Sequence, residues 1–301
     1  MTTRIALATA AEFPDLDEDG PALVDALARR GIAAGPAVWT DDTVDWSAYD
    51  LVVVRATWDY APRRDEFIAW AGRVSAVTRL ANSAAVLAWN TDKTYLRALH
   101  DAGLPVVPTQ WFEPGDTFVV PALGEYVVKP TVSAGSRDTN RYLAGGHDEL
   151  AAAHGGSLLE AGRSVMVQPY LRAVDTAGET ALLYFAGELS HAIRKGPLLT
   201  PAMAPVAGAY KQEEIVPREP SLAEVAVADA VLDAMPSVAA MSPAGRADLL
   251  YARVDLVPGD DGEPMLLELE LTEPSMFLVD DGAAGVVAAD RFAAAIALAV
   301  R

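Results

Sequence analysis

Tyr251-Ala252-Arg253-Val254-Asp255-Leu256-Val257-Pro258 and Met265-Leu266-Leu267-Glu268-Leu269-Glu270-Leu271 flank the short segment Gly259-Asp260-Asp261-Gly262. Both flanks alternate apolar and charged residues, the period of a strand buried on one face. If Asp261-Gly262 forms a two-residue turn, Asp255 faces Glu268 and Arg253 faces Glu270; Pro258 and Pro264 flank it, so a longer loop is the alternative. Successive side chains alternate faces, so Asp255, Glu268 and Glu270 share one face. Val254, Leu256, Leu267, Leu269 and Leu271 collect on the other. Like charges facing each other across strands are destabilising. Something cationic must offset them. A solvated face with Arg253 as partner is the plain solution. Bound Mg²⁺ is the other, because hard cations take carboxylate oxygens and two such ions can clamp a phosphoryl group.

The cations elsewhere in the chain bear on that choice. Lys plus Arg is 23, but only Lys93, Lys129, Lys195 and Lys211 are lysines. Lys129 ends the strand Tyr126-Val127-Val128-Lys129-Pro130, just before the loop Ser133-Ala134-Gly135-Ser136. Small residues let backbone N–H groups approach an anion, and a lysine beside them acts as a point charge on phosphate. A helix capped by Thr91 or Asp92 and running through His100 places Lys93 in its first turn. The helix dipole disfavours a cation there, and a bound anion relieves the conflict. Arg194-Lys195 closes a strand that starts after an Ala186-Gly187 turn. Arg55 follows Leu51-Val52-Val53-Val54 at a strand's carboxyl end, where arginine can hold a carboxylate or phosphate bidentately. Trp58 and Tyr60 can wall a small pocket beside it.

The 301 residues are 51% hydrophobic and carry a formal net charge of -19, with no cysteine. Such a chain can bury a core, and disulfides, cysteine–zinc sites and thiol catalysis are excluded. The acidity disfavours nucleic acid and anionic membranes as partners. The N-terminus leads straight into a strand-length run, and the apolar tract from Ala283 to Val300 is cut by Asp290 and Arg291. It reads as a terminal helix, and a cytoplasmic protein is expected.

Strand and helix signals alternate in the first third: Ile5 to Thr9, Asp19 to Arg30, Leu51 to Val54 and Glu66 to Ala76. That pattern predicts an open parallel sheet whose ligands gather at the strands' carboxyl ends. Later come a strand at Val165 to Gln168, a hairpin of Thr180 to Phe185 with Glu188 to Arg194, and a helix from Ser221 to Met235. Pro197 to Pro220, with five prolines, reads as a loop.

Taken in order, several segments resemble the ATP-grasp superfamily, the glutathione-synthetase-like carboxylate–amine ligases. They are Asn90-Thr91-Asp92-Lys93, Val127-Val128-Lys129-Pro130 with its loop, Val167-Gln168-Pro169-Tyr170, Arg194-Lys195, Arg253-Val254-Asp255 and Glu268-Leu269-Glu270 before Pro274. The resemblance implies an α/β (α+β) fold in three parts. Residues 1–89 would form an open parallel-sheet domain, 90–170 a lid subdomain, and 171–301 a subdomain carrying the metal site. The two antiparallel-sheet subdomains would grip ATP between them. Lys93, Lys129 and Lys195 would serve the nucleotide, and the lid loop with Ser133, Gly135 and Ser136 would close over its phosphates. Gln168, Pro169, Tyr170 and Leu171 would form the adenine hinge, with Asp175 or Glu179 near the ribose. Arg194, Arg55 and Lys129 would act on the transferring group or the acyl substrate. Asp255, Glu268 and Glu270 would ligate Mg²⁺. The family commonly has asparagine where Glu270 stands, and this loop is less glycine-rich than is usual.

The implied chemistry activates a small amino-acid carboxylate as an acyl phosphate, which a nitrogen then attacks. Small-substrate members resemble this chain in the Arg55–Tyr60 and Glu270–Ser275 segments. One such member cyclises O-ureidoserine in cycloserine (antibiotic) biosynthesis. Intermolecular ligation of amino acids or dipeptides, and ATP binding without turnover in a regulatory protein, stand as alternatives. A homodimer is compatible with the reading.

Overall fold

The computed structural model describes residues 2–122, 124–197, 199, 214–238, 245–279 and 283–300. Its first sheet holds β1 (Arg4–Thr9), β2 (Ala33–Val38), β3 (Leu51–Val54) and β4 (Arg79–Ala81), all parallel, in the order β2-β1-β3-β4. The central strands are the ones made of unbroken apolar residues, since both of their faces are covered. Pro36 is tolerated because β2 is an edge strand, where a missing N–H costs no ladder bond. Helix α1 (Gly20–Arg29) covers one face and α2 (Arg64–Ser75) the other, where Trp70 and Phe67 stack.

Asp92 does not cap a helix through His100. Ser83 caps α3 (Ala84–Asn90), and the chain breaks at residues 91–94 before α4 (Tyr95–Asp101). Asp92 instead accepts the Thr94 N–H at 3.0 Å in a local turn. Lys93 therefore precedes the helix and is not in its first turn, so the dipole conflict expected there does not arise.

A second sheet comprises β5 (Gln110–Phe112), β6 (Glu125–Pro130), β7 (Asn140–Leu143) and β8 (Val165–Pro169), antiparallel in the order β5-β8-β6-β7. Helix α5 (Asp148–Glu160) backs it. After the short α6 (Val174–Ala177) comes a third sheet. It contains β9 (Glu179–Phe185), β10 (Glu188–Lys195), β11 (Ile215–Pro217), β12 (Tyr251–Pro258) and β13 (Pro264–Glu270). The order is β11-β10-β9-β12-β13, antiparallel throughout. Ala186 and Gly187 both have positive φ, as a tight hairpin turn of this hand requires. Part of the expected proline-rich loop is strand: Ile215–Pro217 pairs with the edge of β10. Most of that loop, with Lys211, lies outside the described residues.

Helix α7 (Leu222–Val238) packs on the third sheet, and α8 (Ala283–Ala299) returns to the first. Phe292 and Ile296 on α8 share one core with Ile5, Leu23 and Val53, and also with Phe185 and Tyr251 of the third sheet. Arg29 meets Asp290 at 3.0 Å at the rim of this joint.

The β12–β13 register matches the sequence reading where it matters, though for a different reason. Asp255 faces Glu268 and Arg253 faces Glu270. The connection is longer than a two-residue turn: Pro258 pairs with Pro264, and the Gly259 N–H reaches the Glu263 carbonyl at 2.8 Å. A bulge between Asp255 and Leu256 restores the register. Leu266, fully buried, takes the core position expected of Leu267. Leu267 turns instead toward Val107, Val174 and Val257 on the cleft side. A bulge beside a site re-aims a side chain in this way.

Candidate active site

A cavity of about 1090 Å³ opens where the three sheets meet. The carboxylate face of β12–β13 forms its floor. That face is not a solvated surface: Asp255 is 1% exposed and Arg253 6%. The cations the floor requires are Lys93 and Lys195 from two other segments and Arg253 of β12 itself. Lys93 Nζ lies 3.0 Å from Glu268 Oε1 and donates to the Ser133 carbonyl at 2.9 Å. Lys195 Nζ bridges Asp255 Oδ2 at 2.7 Å and Glu179 Oε2 at 2.9 Å. Arg253 forks onto Asp255, with Nε–Oδ1 at 2.9 Å and Nη2–Oδ2 at 3.0 Å, and its Nη2 also contacts Glu270.

These contacts divide the acids. Burial works to raise Asp255, but Arg253 and Lys195 outweigh it and hold the carboxyl down at about 2. Burial also opposes ionisation of Glu268, which Lys93 and Lys129 nonetheless hold below the usual range. Glu270 is pushed up to about 7, by burial first and by its acidic neighbours, against the pull of Arg253. Glu273 is pushed up to about 8 by burial and by Glu270, with Lys93 and the Tyr60 hydrogen bond opposing. The ordinary value for glutamate is 4.5, so the fold holds the Glu273 proton more tightly than the unfolded chain does. Its contribution to stability is fully present below that value and is lost as pH rises through about 8. Glu273→Gln, free of nucleotide and metal, is therefore expected to melt close to wild type near pH 4.5 and increasingly above it as pH rises to about 8. A melting difference that does not grow with pH contradicts this.

Lys129 is buried at the end of β6 and, among the described residues, has no ion pair. Burial pushes its ammonium down, and neighbouring Lys93 and Lys195 add to this against the attraction of Glu268. For Lys93 the balance is reversed: burial lowers it, but Glu268 prevails and holds it up.

Ser133, Gly135 and Ser136 line the same cavity, in a loop where Gly135, Ser136 and Asp138 all have positive φ. The loop is fastened beyond its tip, where Arg163 holds Asp138 Oδ2 at 2.5 Å and the Val132 carbonyl at 3.2 Å. Gln168, Pro169, Tyr170 and Leu171 line the far end. Tyr170 is held by two groups absent from the sequence reading. Arg141 stacks on its ring at 3.4 Å, and the Glu125 carbonyl accepts its N–H at 2.8 Å. Asp175 accepts the Tyr170 hydroxyl at 2.5 Å and is not on the cavity wall, whereas Glu179 is.

The two arginines expected to face the reacting group do not line the cavity. Arg194 Nε donates to the Ala177 carbonyl at 2.8 Å, which ties β10 to α6. Arg55 is 1% exposed and packed behind the wall, where it pairs with Asp17 at 3.2 Å and donates to the Pro274 carbonyl at 3.1 Å. Sequence pattern cannot show which way such a side chain leaves its strand. Arg253 lines the cleft, as does Arg141 beside Tyr170, and the place of Arg253 opposite Glu270 on the carboxylate face was legible. Glu273 was not singled out from the sequence, because it follows β13, where strand alternation no longer assigns a face.

The opposite end of the cavity is walled by Phe13, Trp58, Tyr60 and the acids Asp17, Glu18 and Asp19. The Phe13 and Trp58 rings meet edge to face at 5.0 Å, and Trp58 Nε1 donates to the Glu273 carbonyl at 2.9 Å.

Residues 5–82 match the family described as the D-cycloserine synthetase DcsG, N-terminal domain. The cycloserine biosynthesis protein DcsG of Streptomyces lavendulae is 41% identical over 310 residues, covering 97% of each chain. The crystal structure of a D-cycloserine synthetase DcsG superposes with a TM-score of 0.85 at 38% identity, over 99% of this chain and 100% of that one. An ATP-grasp ligase, PsnB, complexed with a phosphomimetic variant of a minimal precursor, Mg and ADP, shares the fold at 20% identity. Its TM-score is 0.62, over 99% of both chains. No described helix is long and apolar enough to cross a membrane. Similarity of this extent places the chain in the DcsG family: it is an ATP-dependent ligase built on the ATP-grasp fold.

Proposed function

We propose that this ligase activates the carboxylate of O-ureidoserine as an acyl phosphate and closes the ring of cycloserine by attack of a nitrogen of the same molecule. The observation that carries the reading is the convergence of Lys93, Lys129, Lys195 and Arg253 on a buried carboxylate floor, next to a compartment walled by Phe13, Trp58 and Tyr60. The similarity to D-cycloserine synthetase supports this substrate.

Each residue's role follows from its charge and place. Lys129, a buried cation lacking an ion pair among the described residues, fits a triphosphate, and Lys93 and the Ser133–Ser136 loop lie beside it. Val257 and Leu267, brought to the cleft by the bulge, suit an apolar base lying against the Gln168–Leu171 segment. Arg253 is placed for the acyl carboxylate or the phosphoryl oxygens, at the boundary of the two compartments. The aromatic wall excludes water, which would hydrolyse the activated acyl group.

The oxygens of Asp255, Glu268 and Glu270 are of the type Mg²⁺ takes. Among the described residues they form no ready metal cage, because Lys93, Lys195 and Arg253 occupy them. Lys93 and Lys195 would give up their place on these carboxylates to Mg²⁺ and would then be available to phosphate. Mg²⁺ held by these carboxylates would supply charge neutralisation to the transferring phosphoryl group.

A screen of ADP release over O-ureidoserine, small amino acids and dipeptides, with products read by mass, tests the reading. O-ureidoserine alone should give ADP and a product lighter than itself. Products joining two substrates, or no release with O-ureidoserine, reject cyclisation. Glu268→Ala is expected to lose at least ~100-fold in turnover, as removal of an electrostatic contact to the transition state does. Full turnover in that variant would reject the site assignment.

A further inference from the structure

The acids on the cavity wall differ in what they are committed to. Asp255 is held by Arg253 and Lys195, Glu268 by Lys93, Glu270 by Arg253, Glu179 by Lys195 and Asp17 by Arg55. Asp19 accepts the N–H groups of Met276 and Leu278 at 2.9 and 2.5 Å. Glu273 is different: it is a buried carboxyl on the wall that, among the described residues, pairs with no lysine or arginine. Among the described residues, its side-chain partner is the Tyr60 hydroxyl.

The backbone around Glu273 is pinned on every side. Asn90 Oδ1 accepts the Leu271 N–H at 2.7 Å, and Tyr251 donates to the Thr272 carbonyl at 2.8 Å. Trp58 and Arg55 donate to the Glu273 and Pro274 carbonyls. The side chain is thus fixed at the seam between the phosphoryl-transfer floor and the aromatic compartment, beside Glu270, Tyr60 and Ser275. A free acid has no structural cation to serve at that seam. Burying a carboxyl without a partner cation costs stability.

We propose that Glu273 is a catalytic residue, the general base that removes the proton from the attacking nitrogen during ring closure. The nitrogen lone pair forms the new C–N bond to the acyl carbon. The C–O bond to phosphate breaks, and phosphate leaves with that electron pair. The N–H proton passes to a Glu273 carboxylate oxygen, and the ring nitrogen still carries the carbamoyl group, which water then removes as carbamate to leave cycloserine. This assignment rests on the cyclisation reading above and adds to it the group that completes the second half-reaction.

The test separates the two halves with hydroxylamine, which traps an acyl phosphate as a hydroxamate and is nucleophilic without help. Glu273→Gln keeps the side-chain shape and an acceptor for Tyr60. With O-ureidoserine and Mg-ATP it is expected to form hydroxamate within about twofold of wild type while ring closure falls about 100-fold or more. In Glu273→Ala, added formate should restore ring closure by about tenfold or more, with no such effect in Glu273→Gln. Parallel loss of hydroxamate and ring closure in a Gln variant that melts normally overturns the proposal. So does ring closure kept within tenfold of wild type, or no formate rescue in Glu273→Ala. Wild type that forms hydroxamate but no ring rejects cyclisation itself, a different failure from any of these.

Discussion

Lys129→Ala is expected to abolish the Mg-ATP-dependent thermal shift and to lower kcat/KM by about 10³-fold, near 4 kcal/mol, while leaving the unliganded protein within about 1 kcal/mol of wild type. The two halves follow from one fact. Lys129 is 8% exposed and, among the described residues, no carboxylate lies within ion-pair distance of it. Its ammonium is pushed down by burial and by Lys93 and Lys195. An ion held in surroundings that disfavour its charge contributes little to the fold, so truncating it removes a strain along with some packing of its stem. The same surroundings strengthen its attraction to a phosphate that enters the cleft, because a dry site screens charge poorly. Calorimetric or fluorescence melting with and without Mg-ATP, alongside steady-state kinetics, reads both numbers. A variant that still shifts on Mg-ATP would remove Lys129 from the phosphate site.

Asp255→Ala should fail in the opposite order, losing the fold before the chemistry. Asp255 is the acceptor for three charged donor atoms, on Arg253 and Lys195, all in the interior. Removing one partner of a buried ionic group leaves the others uncompensated and costs about 3–5 kcal/mol. Urea unfolding at pH 7 is expected to show that loss. Asp255→Asn keeps the volume but not the charge and should still show a clear loss. The pH dependence carries a definite sign. Asp255 titrates near 2 in the fold against an ordinary 3.8, so its contribution is present above 3.8 and is lost as pH falls through about 2. The stability gap between wild type and Asp255→Asn should therefore close across that acid window. A gap that widens with acid would show that the carboxylate is not the stabilised species.

Much of the site was legible because its residues lie on strands. Alternation alone places Arg253, Asp255, Glu268 and Glu270 on one face, and the structure keeps that pairing. The scarcity of lysine pointed to Lys93, Lys129 and Lys195, and all three line the cleft. What failed was geometry that depends on distant contacts. Of the two connections open at Asp261-Gly262 the longer loop forms, and a bulge that no local pattern announces keeps the register while exchanging Leu266 for Leu267. Arg55 and Arg194 carry the right charge for the chemistry, but Asp17 and the Ala177 carbonyl claim them. Those partners lie 38 and 17 residues away in the chain. Glu273 and Arg141 escaped for the same reason, since burial of a charge is set by what packs over it and not by its neighbours in sequence.

The return of α8 to the first sheet bears on how the molecule is made. β1 and β3 emerge early in synthesis, and α1 covers only part of the face that Phe292 and Ile296 of α8 complete. The Arg29–Asp290 contact spans 261 residues. Contacts that distant cost loop-closure entropy before they return any stability, and folds dominated by them assemble slowly. The core shared by the first and third sheets is complete only when the C-terminal α8 packs on it. A nascent chain stopped short of α8 would expose that apolar face to other chains, and chaperone dependence is the expected outcome.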